Sequence, residues 1–366
     1  ITTYTYGPTD DRLCLRTTSN ELHCRVVSDN DTEDPFMTLD RPGITGVIDS
    51  TGTRSSDSEL LCWLLESGVV QCSDAGLSRN TIPSRDQFMQ HIETLPPVRR
   101  IWFGPTYWPS ILVQTTEGSL IRVTGAGAEH LGALPPVETG AHTDGLCFVT
   151  EDRRAWCWGE DGLGNNLPWT SSPVVSKPKV VAGLGAATAV AAGYEHTCAT
   201  LRDGSVWCWG SDRTGCRGGG AAAHFNAPPS AVQGFTTSGQ IASKGQAVCS
   251  LAANSSLWCW GRSFGILPTE QTPGYRWQTF TTSSGHSCGI DATGGTWCWG
   301  PNNNNNVLGP IASDDVDPYQ PIPMEGFGRA IDVAIGWQQT CVIDELNEVW
   351  CRGMNSNQII NASNSR

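Results

Sequence analysis

Fourteen of the fifteen cysteines in this 366-residue chain fall into seven pairs, and every pair has the same spacing of ten residues. The pairs are Cys14/Cys24, Cys62/Cys72, Cys147/Cys157, Cys198/Cys208, Cys249/Cys259, Cys288/Cys298 and Cys341/Cys351, with Cys216 left over. Zinc knuckles place cysteines two to four residues apart, so this spacing argues against metal. The surroundings repeat as well. Trp-Cys-Trp-Gly occurs at 156–159, 207–210, 258–261 and 297–300, and Trp350-Cys-Arg-Gly353 is a worn copy. Repeats with this period mean a solenoid or a propeller.

Each pair is expected to close a β-hairpin. A spacing of ten puts one residue at the centre, which requires an odd-numbered loop. A three-residue loop such as Arg202–Gly204 leaves Cys198 facing Cys208, and its last residue must be left-handed, usually Gly. That position holds Gly68, Gly118, Gly204 and Gly294, and Asn20 and Asn347 in two more units. Arg153 and Ser255 break the rule. Directly opposed residues on paired strands lie about 4.5–5.5 Å apart at Cα, inside the range that a disulfide spans. Seven cross-strand disulfides follow, each worth about 2–3 kcal/mol on a chain-entropy model. Alternation then sends Trp207 and Trp209 to one face and Cys208 to the other.

An eighth unit lacks cysteine. In Gly104–Gly125, Leu112 and Arg122 stand ten apart around Gly118. Between units the gaps run from 25 to 43 residues, and the longer ones have room for two further strands and a loop. The ends of the chain contribute 13 residues before Cys14 and 15 after Cys351. Together they match a short gap, so the termini are expected to supply the strands that close a ring. The expected fold is thus all-β, a single propeller domain over 1–366.

Composition narrows the function. The net charge is −13, with only three lysines, Lys177, Lys179 and Lys244. That argues against nucleic acid as a partner, which needs basic patches to displace counterions. No apolar run reaches the length of a membrane span. The sequence opens at Ile1 with no charged segment leading an apolar one, as expected of an exported chain whose leader is gone.

The pattern resembles the regulator of chromosome condensation (RCC1) repeats of the RCC1-like β-propellers. The residues that carry the resemblance are Val181-Ala-Gly-Leu-Gly-Ala-Ala-Thr-Ala-Val-Ala-Ala-Gly-Tyr-Glu-His196, then Leu201, Asp203-Gly204 and Trp209-Gly210. Gly326-Phe-Gly and Ala334-Ile-Gly-Trp337 echo it in the last unit. That family usually has seven blades, whereas eight hairpin units here favour eight, with seven as the alternative. The family's Asn-x-x-Gly-Gln-Leu-Gly tail after Trp-Gly is worn down to Glu160-Asp-Gly-Leu-Gly-Asn-Asn and to 302–306 followed by Val-Leu-Gly. The paired cysteines look like the secreted branch of the family, which implies an extracellular or cell-surface location. They also set the chain apart from the nuclear members that act as exchange factors.

No catalytic, cofactor or metal site is expected. The chain has no Gly-x-Ser-x-Gly elbow, no P-loop and no His-Glu-x-x-His helix. His196 and His286 share one repeat position, which points to a buried hydrogen bond within the repeat. The acidic runs 29–34 and 314–317 lack the full calcium loop pattern and are expected to be solvated. Cys216 lies in Gly215-Cys-Arg-Gly-Gly-Gly, expected to be a flexible loop with either an inert thiol or a bond to a second chain. Asn30, Asn254 and Asn361 head N-glycosylation sequons, with Asn254 in a hairpin turn. The favoured function is a non-enzymatic scaffold that binds a protein partner or itself through loops such as 73–100 and 215–231. Self-association draws on Trp102, Trp108, Trp169, Trp277 and Trp337 as exposed loop candidates, and the alternative function is a carbohydrate-binding module with Trp platforms in the loops or channel. An enzyme acting on polysaccharides stands third.

Overall fold

A computed structural model of the chain describes residues 3–5, 12–16, 22–26, 46–55, 58–73, 84–103, 110–142, 146–160, 174–193, 196–220, 227–282, 286–300, 320–326, 328–335, 339–346, 348–353 and 356–361. These residues are almost all strand, in antiparallel sheets ordered as they follow along the chain. Contacts divide the chain into two compact units. One comprises residues 1–66, 73–77 and 274–366, and the other residues 67–72 and 78–273.

The second unit holds a four-stranded sheet from Val98–Phe103 to Gly127–Ala133 and another from Val137–His142 to Val174–Val180. A seven-stranded sheet follows, from Ala187–Ala192 to Gly265–Gln271. It is two repeat units fused, because the 18-residue strand Ala227–Lys244 serves both. Its first part pairs with Ser205–Gly210 and its second with Ala247–Ala252. The first unit holds four-stranded sheets starting at Trp277–Thr282 and Ala330–Ile335, and the three-stranded sheet Thr3–Thr5, Arg12–Arg16, Leu22–Val26.

The hairpin register follows the cysteines. Cys14 faces Cys24, Cys147 faces Cys157, and Cys198 faces Cys208. Cys249 faces Cys259, Cys288 faces Cys298, and Cys341 faces Cys351. The hairpin without cysteine keeps the same register, with Leu112 opposite Arg122. Cys147–Cys157, Cys198–Cys208, Cys249–Cys259 and Cys288–Cys298 are disulfides with Cα atoms 4.1–4.2 Å apart. That is the close spacing of pairs which exchange no backbone hydrogen bonds. Cys62, Cys72 and Cys341 are also disulfide-bonded. The side chains of Cys14, Cys24 and Cys351 lie outside the described residues.

The core forms between consecutive sheets. In the first unit the Cys288–Cys298 face packs with Ile290 and Met324 against Val333, Ile335 and Val342 of the following sheet. In the second, Cys198, Val206 and Cys208 pack with Val232, Phe235, Val248 and Trp260. On the opposite face from each disulfide, the second Trp of the repeat (Trp158, Trp209, Trp260, Trp299) is buried, while the first remains half-buried.

Two segments read as contact loops fold differently. Within 73–100 the chain forms a helix, Ser84–Glu93. Phe88 and Ile92 stand one helical turn apart and are both buried. Asp86 favours the first turn and His91 the last, and Pro96-Pro97 prevents continuation. Within 215–231, Gly215, Cys216 and Gly218 are buried, and strand begins again at Ala227.

Candidate functional site

The chemistry-bearing residues of the repeat gather at the two ends of each central hairpin. At the turn end, the N–H of the third loop residue bonds back to the last strand residue, as in Gly204 N to Leu201 O at 3.0 Å. Gly204 sits at φ 82° and Gly118 at φ 90°. Arg153 and Ser255, the two departures from the Gly/Asn rule, take the same conformation at φ 63° and 66°. The loop geometry therefore overrides residue preference.

That left-handed residue does a second task. Its carbonyl accepts the N–H of a residue at or just before the first strand of the next repeat unit. The bonds run from Val98 to Gly68, Leu134 to Gly118, Ala187 to Arg153, Thr237 to Gly204, and Ala330 to Gly294, all at 2.8–3.0 Å. Each of these five turns is thus a backbone latch on the following sheet.

The half-buried Trp is tied to the same turn. Trp297 Nε1 donates to Asp291 Oδ2 at 2.8 Å, and Trp350 Nε1 to Asp344 Oδ2 at 2.9 Å. In two other units a serine relays the bond. Trp207 donates to Ser205 Oγ, which donates to Asp203 Oδ1, and Trp258 donates to Ser256 Oγ, which donates to Asn254 Oδ1. Burial pushes the Asp291 carboxyl up, but bonds from Thr293, Trp297 and Gly295 outweigh it and hold the group below its usual range. Trp156 has Thr150 and Arg154 at the two acceptor positions. Its buried Nε1 has no partner among the described residues.

At the open end of the hairpin stand the repeated histidines. Ser243 Oγ donates to Ala247 O at 2.9 Å, so at 3.0 Å it accepts the Nε2–H of His196. The tautomer is thereby assigned, and Nδ1 is left as a buried lone pair with no described donor. His286 Nε2 lies 2.8 Å from Thr340 Oγ1. Both partners belong to the next repeat unit. Burial depresses both histidines to about 4, so they are neutral at pH 7. The sequence reading of a buried, repeat-specific hydrogen bond matches this placement, and the hydroxyl partners, 47 and 54 residues away, carried no local signal.

Cys216 is 2% exposed and not in a mobile loop. Its thiol donates to Ser211 O at 3.0 Å, and its carbonyl accepts Trp260 Nε1 at 2.9 Å and lies 4.0 Å from Cys198 Sγ. Of the two readings of this thiol, burial fits the inert one and speaks against a sulfur offered to a second chain. A signal for the fold of this loop was present: Asp212-x-x-Gly215-x-x-Gly218 keeps the spacing of the family tail. Asp212 Oδ1 accepts the Arg217 N–H at 3.0 Å. Gly218 is required where it stands, because a Cβ there would lie 2.8 Å from Val232 and 3.2 Å from Trp260.

Of the aromatic loop candidates, Trp102 is half-buried with its ring 4.4 Å from that of Phe148. Trp277 is 1% exposed and stacked on Tyr275, with a centroid separation of 5.4 Å. These two are packing residues, not loop platforms. Trp108, Trp169 and Trp337 lie outside the described residues, as do Asn30, the side chain of Asn361, and the acidic runs 29–34 and 314–317. Among the described residues no three His, Cys, Asp or Glu side chains gather as metal ligands, and no helix is long and apolar enough to cross a membrane.

A family model for the regulator of chromosome condensation (RCC1) repeat matches residues 187–216, which carry His196, the Cys198–Cys208 hairpin and Cys216. The chain is 28% identical over 143 residues to the Protein RCC2 homolog of Danio rerio. That match covers 36% of this chain and spans 29% of the relative's length. Prp20p from Saccharomyces cerevisiae superposes with a TM-score of 0.61 at 14% identity, over 85% of this chain and 87% of that one. Human WBSCR16 gives 0.57 at 14% identity over 85% and 87%. BamB from Moraxella catarrhalis gives 0.50 at 9% identity over 98% of both chains. At such identities these likenesses speak to the fold alone.

Proposed function

We propose that this chain, a member of the RCC1-like β-propeller family, is a non-enzymatic scaffold that holds a protein partner outside the cell. In this reading its repeat units form one ring over 1–366, with eight blades closed jointly by the two termini. The observation that carries the proposal is where the reactive groups go. Both repeat histidines are neutral, buried and bonded to hydroxyls of the next unit. The Cys216 thiol is buried against backbone, and the turn carboxylates cap their own loops. Groups that an enzyme would present to a substrate are spent here on holding sheets together.

A protein partner is the kind of ligand that one structural neighbour takes. Prp20p, the yeast RCC1, has binding properties toward Gsp1p and histones and has been crystallised bound to Kap60. Those partners do not transfer. An acidic chain with disulfides on short hairpins fits an oxidising compartment, which supports export over a nuclear role. Self-association is the variant of this reading with one partner fewer. Self-association and the carbohydrate alternative both lose the support of Trp102 and Trp277, which turn inward.

The test is sedimentation velocity and negative-stain microscopy on native, unreduced material, before and after reduction. Regular assemblies, or a stoichiometric protein partner that migrates with the chain, support the scaffold. A chain that remains single and turns over a polysaccharide overturns it.

A further inference from the structure

We infer that Asn254 is an acceptor for an N-linked glycan, placed where the fold can carry one without strain. The inference rests on the export reading above, since the donor is found only along a secretory route. Asn254 is exposed beside exposed Ala253 at the apex of the hairpin closed by Cys249–Cys259, and it is midway between the two cysteines. Asn254-Ser-Ser256 is a complete sequon.

The turn uses one atom of the carboxamide and leaves the other available. Asn254 Oδ1 accepts the Ser256 N–H at 3.1 Å and the Ser256 hydroxyl at 2.6 Å. Nδ2 donates to no described residue. A sugar on Nδ2 therefore keeps both capping bonds. Asp203 makes the same two bonds to Ser205, at 2.9 and 2.6 Å, with a carboxylate that has no Nδ2. The fold thus requires only an oxygen at this position, and Asn254 supplies an amide nitrogen beyond the structural requirement.

In the transfer, Nδ2 attacks C1 of the first sugar of a lipid-pyrophosphate-linked oligosaccharide. The N–C1 bond forms, the bond from C1 to the pyrophosphate oxygen breaks, the lipid pyrophosphate leaves, and one Nδ2 proton passes to the transferase. The step must come before hairpin closure. In the folded chain Ser256 is 1% exposed, and its hydroxyl is held between Asn254 and Trp258 Nε1, the latter at 2.8 Å. Formation of the Cys249–Cys259 bond and glycan transfer are then competitors for the same segment.

The full chain would be made in a eukaryotic secretory host and the Asn254 peptide read by mass spectrometry. The expected result is a glycan on most secreted copies. N254D should lose it while secretion, disulfide content and circular dichroism stay unchanged, because Asp203 shows that aspartate serves the turn. A reductant present during synthesis should raise occupancy, and unchanged occupancy overturns the proposed competition. A secreted, disulfide-bonded chain with bare Asn254 overturns the acceptor assignment alone. A chain retained with reduced cysteines overturns the export reading, and this inference with it.

Discussion

Lowering the pH should loosen this protein in a window set by its two repeat histidines. His196 and His286 are depressed from 6.5 to about 4 by burial. A depressed histidine binds its proton more readily when unfolded. The unfolded state therefore holds more protons between pH 6.5 and 4, and stability falls as pH drops through that range. A shift of about 2.5 units at about 1.4 kcal/mol per unit gives about 3 kcal/mol per histidine, or roughly 300-fold in the folding constant. Below pH 4 this loss levels off, because both states are then protonated. The structural reason is clear at His196. Protonating Nδ1 puts a buried N–H where no described acceptor stands, next to Gly193, whose missing Cβ makes room for the ring. Two of the shifted carboxylates stay clear of this window and two oppose the histidines within it. Asp203, held low mainly by its Ser205 bonds, and Asp291, held low by its turn bonds, lose their contributions only below the ordinary carboxylate range. Asp212 and Asp332 are pushed up by burial and act with the opposite sign. Urea unfolding at half-unit steps from pH 7 to 4 gives the slope directly. H196Q and H286Q should each flatten it by one proton's worth. A stability that is flat across the window, or a slope that survives in the double variant, would refute the reasoning.

Other outcomes follow from the hairpin turns and the thiol. R154S gives Trp156 Nε1 the serine acceptor that Trp207 and Trp258 have, and should raise stability by about 1 kcal/mol in thermal melts. S255G relieves a left-handed residue and should stabilise by about 0.5–1 kcal/mol, whereas G118A adds a Cβ 2.9 Å from Leu134 O and should cost about 1–2 kcal/mol or more. Unreduced native protein should not react with a thiol reagent, and denaturing it without reductant should expose one equivalent, from Cys216; three equivalents would mean that a hairpin is unstapled.

Hairpin register was readable in advance because it is local. A spacing of ten around a three-residue loop constrains backbone geometry whether or not sulfur is present, and Leu112 opposite Arg122 follows it. Arg153 and Ser255 were unreadable for the converse reason. Loop length dictates their φ, and the side chain merely tolerates it. The helix at Ser84–Glu93 had a signal in Phe88, Ile92 and the following prolines, obscured by a polar segment that reads as loop. The hydroxyls that receive His196 and His286 come from the next unit, and no pattern within one repeat could name them. Cys216 was read into a flexible loop because glycine-rich sequence suggests mobility. Here Gly218 is a packing residue that lets Trp260 approach.

The strand Ala227–Lys244 limits how such a chain can grow. Repeat proteins lengthen and shorten by gaining or losing whole units, which requires borders where the copy can be cut without harm. The stretch between Cys208 and Cys249 is as long as that between Cys157 and Cys198, 40 residues, and looks like an equally free border. Its residues go instead into the buried loop around Cys216 and into one strand shared by two sheets, bent near Gly234 and Gly239 with positive φ. An insertion there splits a strand that two sheets depend on. The two units it joins should be inherited as a pair, with duplications and foreign segments accumulating at the other borders.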